Sequence, residues 1–445
     1  MRLASSFNAF GFSLLVMMTP SLRAQELKLE DAIQLAIEHN RDIANAKLDV
    51  ARSGEQIAAL HTNLLPNTNV YALGSQLLRP FDFTIHRGEL GSFPSTGPIP
   101  SNDVKFSTPL RPMGLVIGKV SQPLSGIYKT RLSLASLNLS KQIDQENVRA
   151  KSQDIVRQTK NLYYQIQQKE SSLKVTRETV LLYRELERVA KDYVLKQVAL
   201  EPDHLEAQTS LMRAEQDQLT LGDEEANLKE QLNQLLGRDV LTEFTVTPIA
   251  EGVQLPVDLV AARERALEQR PELREAKLKV RQAEQEVRVK RADYIPEVSA
   301  EFNMFALLNY GSFLPTQSTS VGVSLSWTPI DWGRRKHQIA EKKYSVDQSR
   351  TSEADARSKI IIDVDTKYRQ MRQVQAQLGV ARLAQRTALE QLRVTKRRFE
   401  LEAVLFKEVL QVQTILEQAN NDYQQTLSKY LTAQAEFEHA LGEDQ

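Results

Sequence analysis

Val298-Ser299-Ala300-Glu301-Phe302-Asn303-Met304 and, one loop later, Val321-Gly322-Val323-Ser324-Leu325-Ser326-Trp327 alternate apolar with small or polar residues. Val298, Ala300, Phe302 and Met304 share one face of the first stretch; Val321, Val323, Leu325 and Trp327 share one face of the second. The alternation predicts strands at 298–308 and 318–328, each about the 9–11 residues that cross a bilayer when tilted. Weaker counterparts lie at 68–78 and 113–122. The same pattern fits hairpins packed on a soluble core, so the flanking sequence has to decide.

The flanks are a duplication. Shifting the numbering by 230 lays Leu29–Pro66 on Leu259–Pro296 without a gap, and Leu29, Ala32, Ala36, Glu38, Ala46, Lys47, Leu48, Val50 and Pro66 meet identical residues. At a shift of 206 Pro123 meets Pro329, and at 205 Leu205, Gln208, Leu211 and Gly237 meet Leu410, Gln413, Leu416 and Gly442. Repeats at fixed offsets mark one structural unit used twice. The first half is longer between its prolines by roughly 24 residues, which fall within 79–112, a segment crowded with Gly, Pro and Ser that reads as an irregular solvent loop.

Each half has the same order. A helix opens it (29–64 and 257–294), proline stops the helix, two strands follow, and then comes a long rod. From about Ser125 to Lys196 no proline occurs, and Ile155, Leu162, Ile166, Leu173, Val180, Tyr183, Leu186 and Tyr193 fall at threes, fours and sevens. Roughly 70 residues of helix span about 100 Å. Asp331 to Phe399 repeats the pattern, and after each rod a turn leads into a returning apolar stripe. The expected domains are a signal peptide at 1–24, a first repeat at 25–245 with its helical tip near 196–204, and a second repeat at 246–445 with its tip near 401–408.

Composition excludes other classes. Lys plus Arg and Asp plus Glu both number 57, leaving no net field to gather nucleic acid. There is no cysteine, hence no disulfide, thiolate metal site or lipidated N-terminal cysteine. The six histidines, His39, His61, His86, His204, His337 and His439, show no ligand spacing. No phosphate loop or nucleophile elbow appears, so no cofactor and no catalysis are expected. Arg2, the apolar stretch 7–18 and Ala24 read as a cleavable signal peptide, and no later run reaches the ~18 apolar residues of a membrane helix.

A protein crossing a membrane on four strands cannot close a barrel alone, because open edges in hydrocarbon leave backbone groups unpaired. Two copies supply too few strands for a lumen and three supply enough, which argues for a homotrimer.

The opening Leu27-Lys28-Leu29-Glu30-Asp31-Ala32-Ile33-Gln34-Leu35-Ala36-Ile37-Glu38-His39-Asn40 resembles that of the TolC-type outer-membrane efflux proteins. So do Ala266-Leu267-Glu268-Gln269-Arg270-Pro271-Glu272-Leu273, Gln122-Pro123-Leu124, Trp327-Thr328-Pro329-Ile330-Asp331-Trp332-Gly333-Arg334-Arg335, Leu232-Asn233-Gln234-Leu235-Leu236-Gly237 and the closing Ala440-Leu441-Gly442. The resemblance implies a mainly α fold with a small β part. Long antiparallel helical hairpins form an α-barrel, and four strands per protomer join a shared twelve-strand transmembrane β-barrel. It implies a channel in outer-membrane lipid that works with a periplasmic adaptor and an inner-membrane efflux transporter to export small molecules such as drugs, metals or other toxic compounds. A protein-secretion duct and a non-conducting coiled-coil scaffold remain as alternatives. By the same resemblance the tips close the pore and meet the adaptor, which places docking at Lys196, Gln197, Val198, Leu401, Glu402 and Ala403. The periplasmic gate falls at Glu402, Glu408 and Gln411. Where the family often has glycine in each tip turn, this chain has Lys196-Gln197 and Glu402-Ala403; Gln411 stands where a second gate carboxylate is sometimes found.

Overall fold

The computed structural model describes residues 25–80, 82–107, 110–197, 200–248, 258–309, 316–401 and 403–443. The expected signal peptide, Val198 and Glu402 lie outside them. In chain order the elements are β1 (Gln25–Leu27), α1 (Leu29–His39), α2 (Arg41–His61), β2 (Asn67–Gln76), β3 (Asp82–Ile85), β4 (Ser92–Phe93), β5 (Gly97–Pro98), β6 (Val104–Ser107), β7 (Pro112–Pro123), α3 (Gly126–Leu195) and α4 (Glu201–Leu235). The second half continues with β8 (Phe244–Val246), α5 (Leu259–Gln269), α6 (Pro271–Arg291), β9 (Glu297–Leu308), β10 (Gln317–Ser326), α7 (Arg334–Glu400) and α8 (Phe406–Leu441).

The rods α3 and α7 run 70 and 67 residues, about 105 and 100 Å. Each returning helix is about half as long, and the opening helix of the same repeat lies along the remainder: α3 packs on α4 and α2, and α7 on α8 and α6. Cross-links follow the same division. Lys169 reaches Glu224 and Arg184 reaches Glu215 between α3 and α4, while Lys151 reaches Asp42 between α3 and α2. The stripe residues Ile155, Ile166, Leu173, Val180 and Tyr183 are buried; Tyr193, beside the tip, is 37% exposed.

Three features differ from the sequence reading. Each opening segment is two helices rather than one. Asn40 breaks the first in an extended conformation (φ −63°, ψ 130°), and its side-chain oxygen caps α2 by accepting from the Asp42 and Ile43 N–H groups. Arg270 breaks the second because it precedes Pro271, whose ring disfavours helical geometry at the residue before it. The 79–112 segment is not wholly irregular: β3 pairs with β6 and β4 with β5, and Phe83 stacks on Phe106 at 4.9 Å. Finally, β1 pairs in parallel with β8 across more than two hundred residues. Buried Tyr163 of α3 fastens that ladder; its hydroxyl donates to the Leu27 carbonyl (2.8 Å) and accepts from the Thr247 N–H (3.0 Å).

The candidate channel wall, waist and tips

The strands β2, β7, β9 and β10 form one antiparallel sheet in the order β10-β9-β7-β2. Cross-strand partners share a face, so the register sorts every side chain. One face carries Val70, Ala72, Val116, Val120, Phe302, Met304, Ala306, Val321 and Val323, apolar along most of its height. The other carries Asn67, Asn69, Lys119, Glu301, Asn303, Ser320 and Ser324 over its lower half. There Lys119 pairs with Glu301 at 2.9 Å, and the Ser324 hydroxyl donates to the same carboxylate at 2.7 Å. Such a pair is costly in hydrocarbon, so the polar face suits a water-filled interior and the apolar face suits lipid. No described helix is long and apolar enough to cross a membrane.

Where the opening helices break, the chain forms a dense waist holding the largest core cluster, including Ala32, Ala36, Ile43, Tyr163, Leu232, Leu236, Phe244 and Tyr430. Both repeats use one device here. Gly237 ends α4 in the left-handed region (φ 69°) against His39, and Gly442 ends α8 likewise (φ 80°) against Gln269 and Arg270. The Asn40 amide donates to the Leu235 carbonyl at 2.8 Å. The buried Arg270 guanidinium pairs with Glu272 (2.8 Å) and with Asp363 of α7 (2.6 Å). Glu436 of α8 receives Arg157 (2.6 Å) and Asn161 (2.9 Å) from α3 and Lys367 (2.9 Å) from α7.

Burial alone would raise the Glu436 pKa, but these donors outweigh it and hold the carboxyl down to about 2. A lowered folded pKa gives stability that is present above the ordinary carboxylate range and lost as pH falls through the folded value. The clamp should therefore weaken only as pH drops from roughly 4.5 toward 2. Glu436→Gln should lower stability at pH 7 by about 2 kcal/mol, the scale of charged hydrogen bonds lost inside a protein. Thermal unfolding of wild type and variant at pH 7 and pH 3 checks this, with a smaller gap expected at pH 3.

At the opposite end from the sheet, α3 turns into α4 and α7 into α8. Lys196 closes α3, and Gln197 adopts φ 60°. The turn takes the left-handed conformation at glutamine where glycine would adopt it without strain. Glu408 lies exposed in the first turn of α8, its N–H donating to the Leu405 carbonyl (3.0 Å), and Gln411 is exposed one turn on. Leu401 and Ala403 are exposed on the second turn. The residue-by-residue sequence reading omitted Leu195, Leu200 and Leu405, which with Leu401 are 71–73% exposed. The duplication held the signal, since Leu195 meets Leu401 at a shift of 206 and Leu200 meets Leu405 at 205. Among the described residues no three His, Cys, Asp or Glu side chains cluster as a metal site.

Two helical hairpins hang from a four-stranded sheet with one polar and one apolar face. Residues 262–443 match the family model described as outer membrane efflux protein. Among solved structures the chain resembles CusC, described in connection with transmembrane channel formation (TM-score 0.76, 16% identity, covering 94% of this chain and 93% of that one). It also resembles the CmeC outer membrane channel of Campylobacter jejuni (0.75, 14%, 93% and 85%) and the MtrE outer membrane channel of Neisseria gonorrhoeae in its open state (0.71, 17%, 94% and 89%). At these identities the likeness establishes the fold. Comparison with curated proteins finds no match by sequence.

Proposed function

We propose that three copies of this chain close a twelve-strand barrel in the outer membrane and a helical conduit below it. With a periplasmic adaptor and an inner-membrane transporter, the assembly would export small molecules such as drugs, metals or other toxic compounds. The sheet order carries the reading. Its edge strands, β2 and β10, run in opposite directions, so the β10 of one copy can extend the β2 of the next antiparallel, and three four-stranded sheets close with no edge left over. The protomer's surface supports this: it exposes 29908 Å², against about 17,000 Å² for a compact chain of its length. Tyr344, Ile362, Val380 and Leu383 along α7 are each at least 64% exposed and await a neighbour.

The leucines at both tips offer an apolar surface to the adaptor, together with Lys196, Gln197, Leu401 and Ala403. Threefold symmetry brings three Glu408 side chains toward the axis, with Gln411 beside them, as a ring that attracts cations. The purified protein should form ion-conducting pores in planar bilayers; a preparation without conductance would leave the scaffold reading in its place. In those pores Glu408→Gln should weaken block by divalent cations several-fold, and unchanged block would remove Glu408 from the gate.

A further inference from the structure

The polar face of the sheet changes character along its height. Near the helices it carries Asn69, Lys119, Glu301 and Asn303. Farther out, two successive rungs are wholly apolar on three strands: Tyr71 beside Ile117 beside Phe305, then Leu73 beside Leu115 beside Leu307. The lipid-facing side already supplies the apolar surface a membrane requires, so hydrocarbon does not explain these rungs. Among the described residues the loop ribbon leaves these rungs partly open: Ile117 and Phe305 are 37% exposed, while Leu115 and Leu307 are half-buried. With the ribbon in place Tyr71 and Leu73 each remain 64% exposed, and the ribbon closes on itself through the β3–β6 ladder and the stacked Phe83 and Phe106. A contiguous exposed apolar surface of this kind marks a contact site.

Resting on the channel reading above, we propose that these rungs, repeated by three copies, form an apolar collar in the outer half of the lumen. The collar makes contact with apolar or amphipathic small molecules in transit. The belt of Lys119, Glu301 and the two asparagines beneath it holds the polar end of such a molecule in water while its apolar flank lies on the collar. The free energy of contact grows in proportion to the apolar area removed from water, so an amphiphile remains longer than a hydrophilic ion of equal charge. The site therefore ranks cargo by apolar surface rather than by charge.

The probes are tetraphenylphosphonium and tetramethylammonium, two monovalent cations that differ in apolar area, applied to single channels in planar bilayers. Wild type should show long blocks with the first and none with the second. Leu73→Ser combined with Ile117→Ser should shorten the blocks at least about tenfold while leaving open conductance unchanged. Because the chain has no cysteine, Leu73→Cys supplies a unique thiol as a second, milder variant, and tetraphenylphosphonium should protect it from an aqueous thiol reagent. Equal blocks in wild type and double variant, or a thiol left unprotected, would overturn the collar while the channel stands. A wild type with no current at all would overturn the channel and the collar together.

Discussion

Val321→Arg should abolish assembly in the membrane, whereas Ser320→Arg, one residue away, should be tolerated. Val321 is 83% exposed on the apolar face of β10 and sits opposite Phe302; Ser320 is on the other face, opposite Asn303. Arginine on the lipid side of a barrel near mid-membrane costs about 2–4 kcal/mol, and a trimer bears that three times. On the lumen side the guanidinium stays hydrated. Heat-modifiable trimer extracted from outer membranes measures the effect. Near-complete loss is expected for Val321→Arg and close to wild-type yield for Ser320→Arg. Equal yields would mean that the two faces had been assigned without consequence.

Gly237→Ala should be the most damaging small change in the helical body. A Cβ there would lie 2.2 Å from the His39 carbonyl oxygen, on a backbone at φ 69°. Left-handed geometry alone disfavours alanine by about 1–2 kcal/mol, and the clash forces α4 away from the α1–α2 break, where Asn40 would lose its bond to Leu235. A total of about 3–5 kcal/mol is expected, the range of the most severe single substitutions. Gly222→Ala is the control: it lies within α4 with no atom within 4 Å of the added methyl, and should gain up to about 1 kcal/mol from helix propensity. Thermal unfolding of the two variants should separate them in opposite directions from wild type. A Gly237→Ala protein as stable as wild type would mean that the waist gives way without strain.

The rods and strands were legible because their periods are long. Seven or more stripe residues at heptad spacing leave little room for another reading, and four alternating positions fixed β9 and β10 to within two residues. Shorter or non-local features were not. The three-residue strands β1 and β8 have no period, and they meet through the burial of Leu27, Phe244 and Val246 in one cluster and the Tyr163 hydroxyl between their ends. The break at Asn40 turns on a single side chain that caps a helix and also reaches α4, whereas the matching break at Arg270 was readable from Pro271. The Glu436 clamp joins three helices through residues that look, in sequence, like ordinary surface charges. Gly237 and Gly442 stood out as a matched pair in the duplication, but their role emerged only from what their missing Cβ would meet.

The proposed assembly joins β2 of one protomer to β10 of the next. Within a protomer these strands are separated by β7 and β9, about 14 Å at the usual strand spacing and beyond the reach of a disulfide. The direct measurement places one cysteine in β2, at Thr68, Val70 or Ala72, and one in β10, at Thr319, Val321 or Val323, in an otherwise cysteine-free chain. Oxidation of the membrane-embedded protein follows, read on a denaturing gel. At one combination a ladder of covalent dimer and closed trimer should form, and a reductant should collapse it to monomer. Monomer at every combination, from protein shown to be in the membrane, would contradict it.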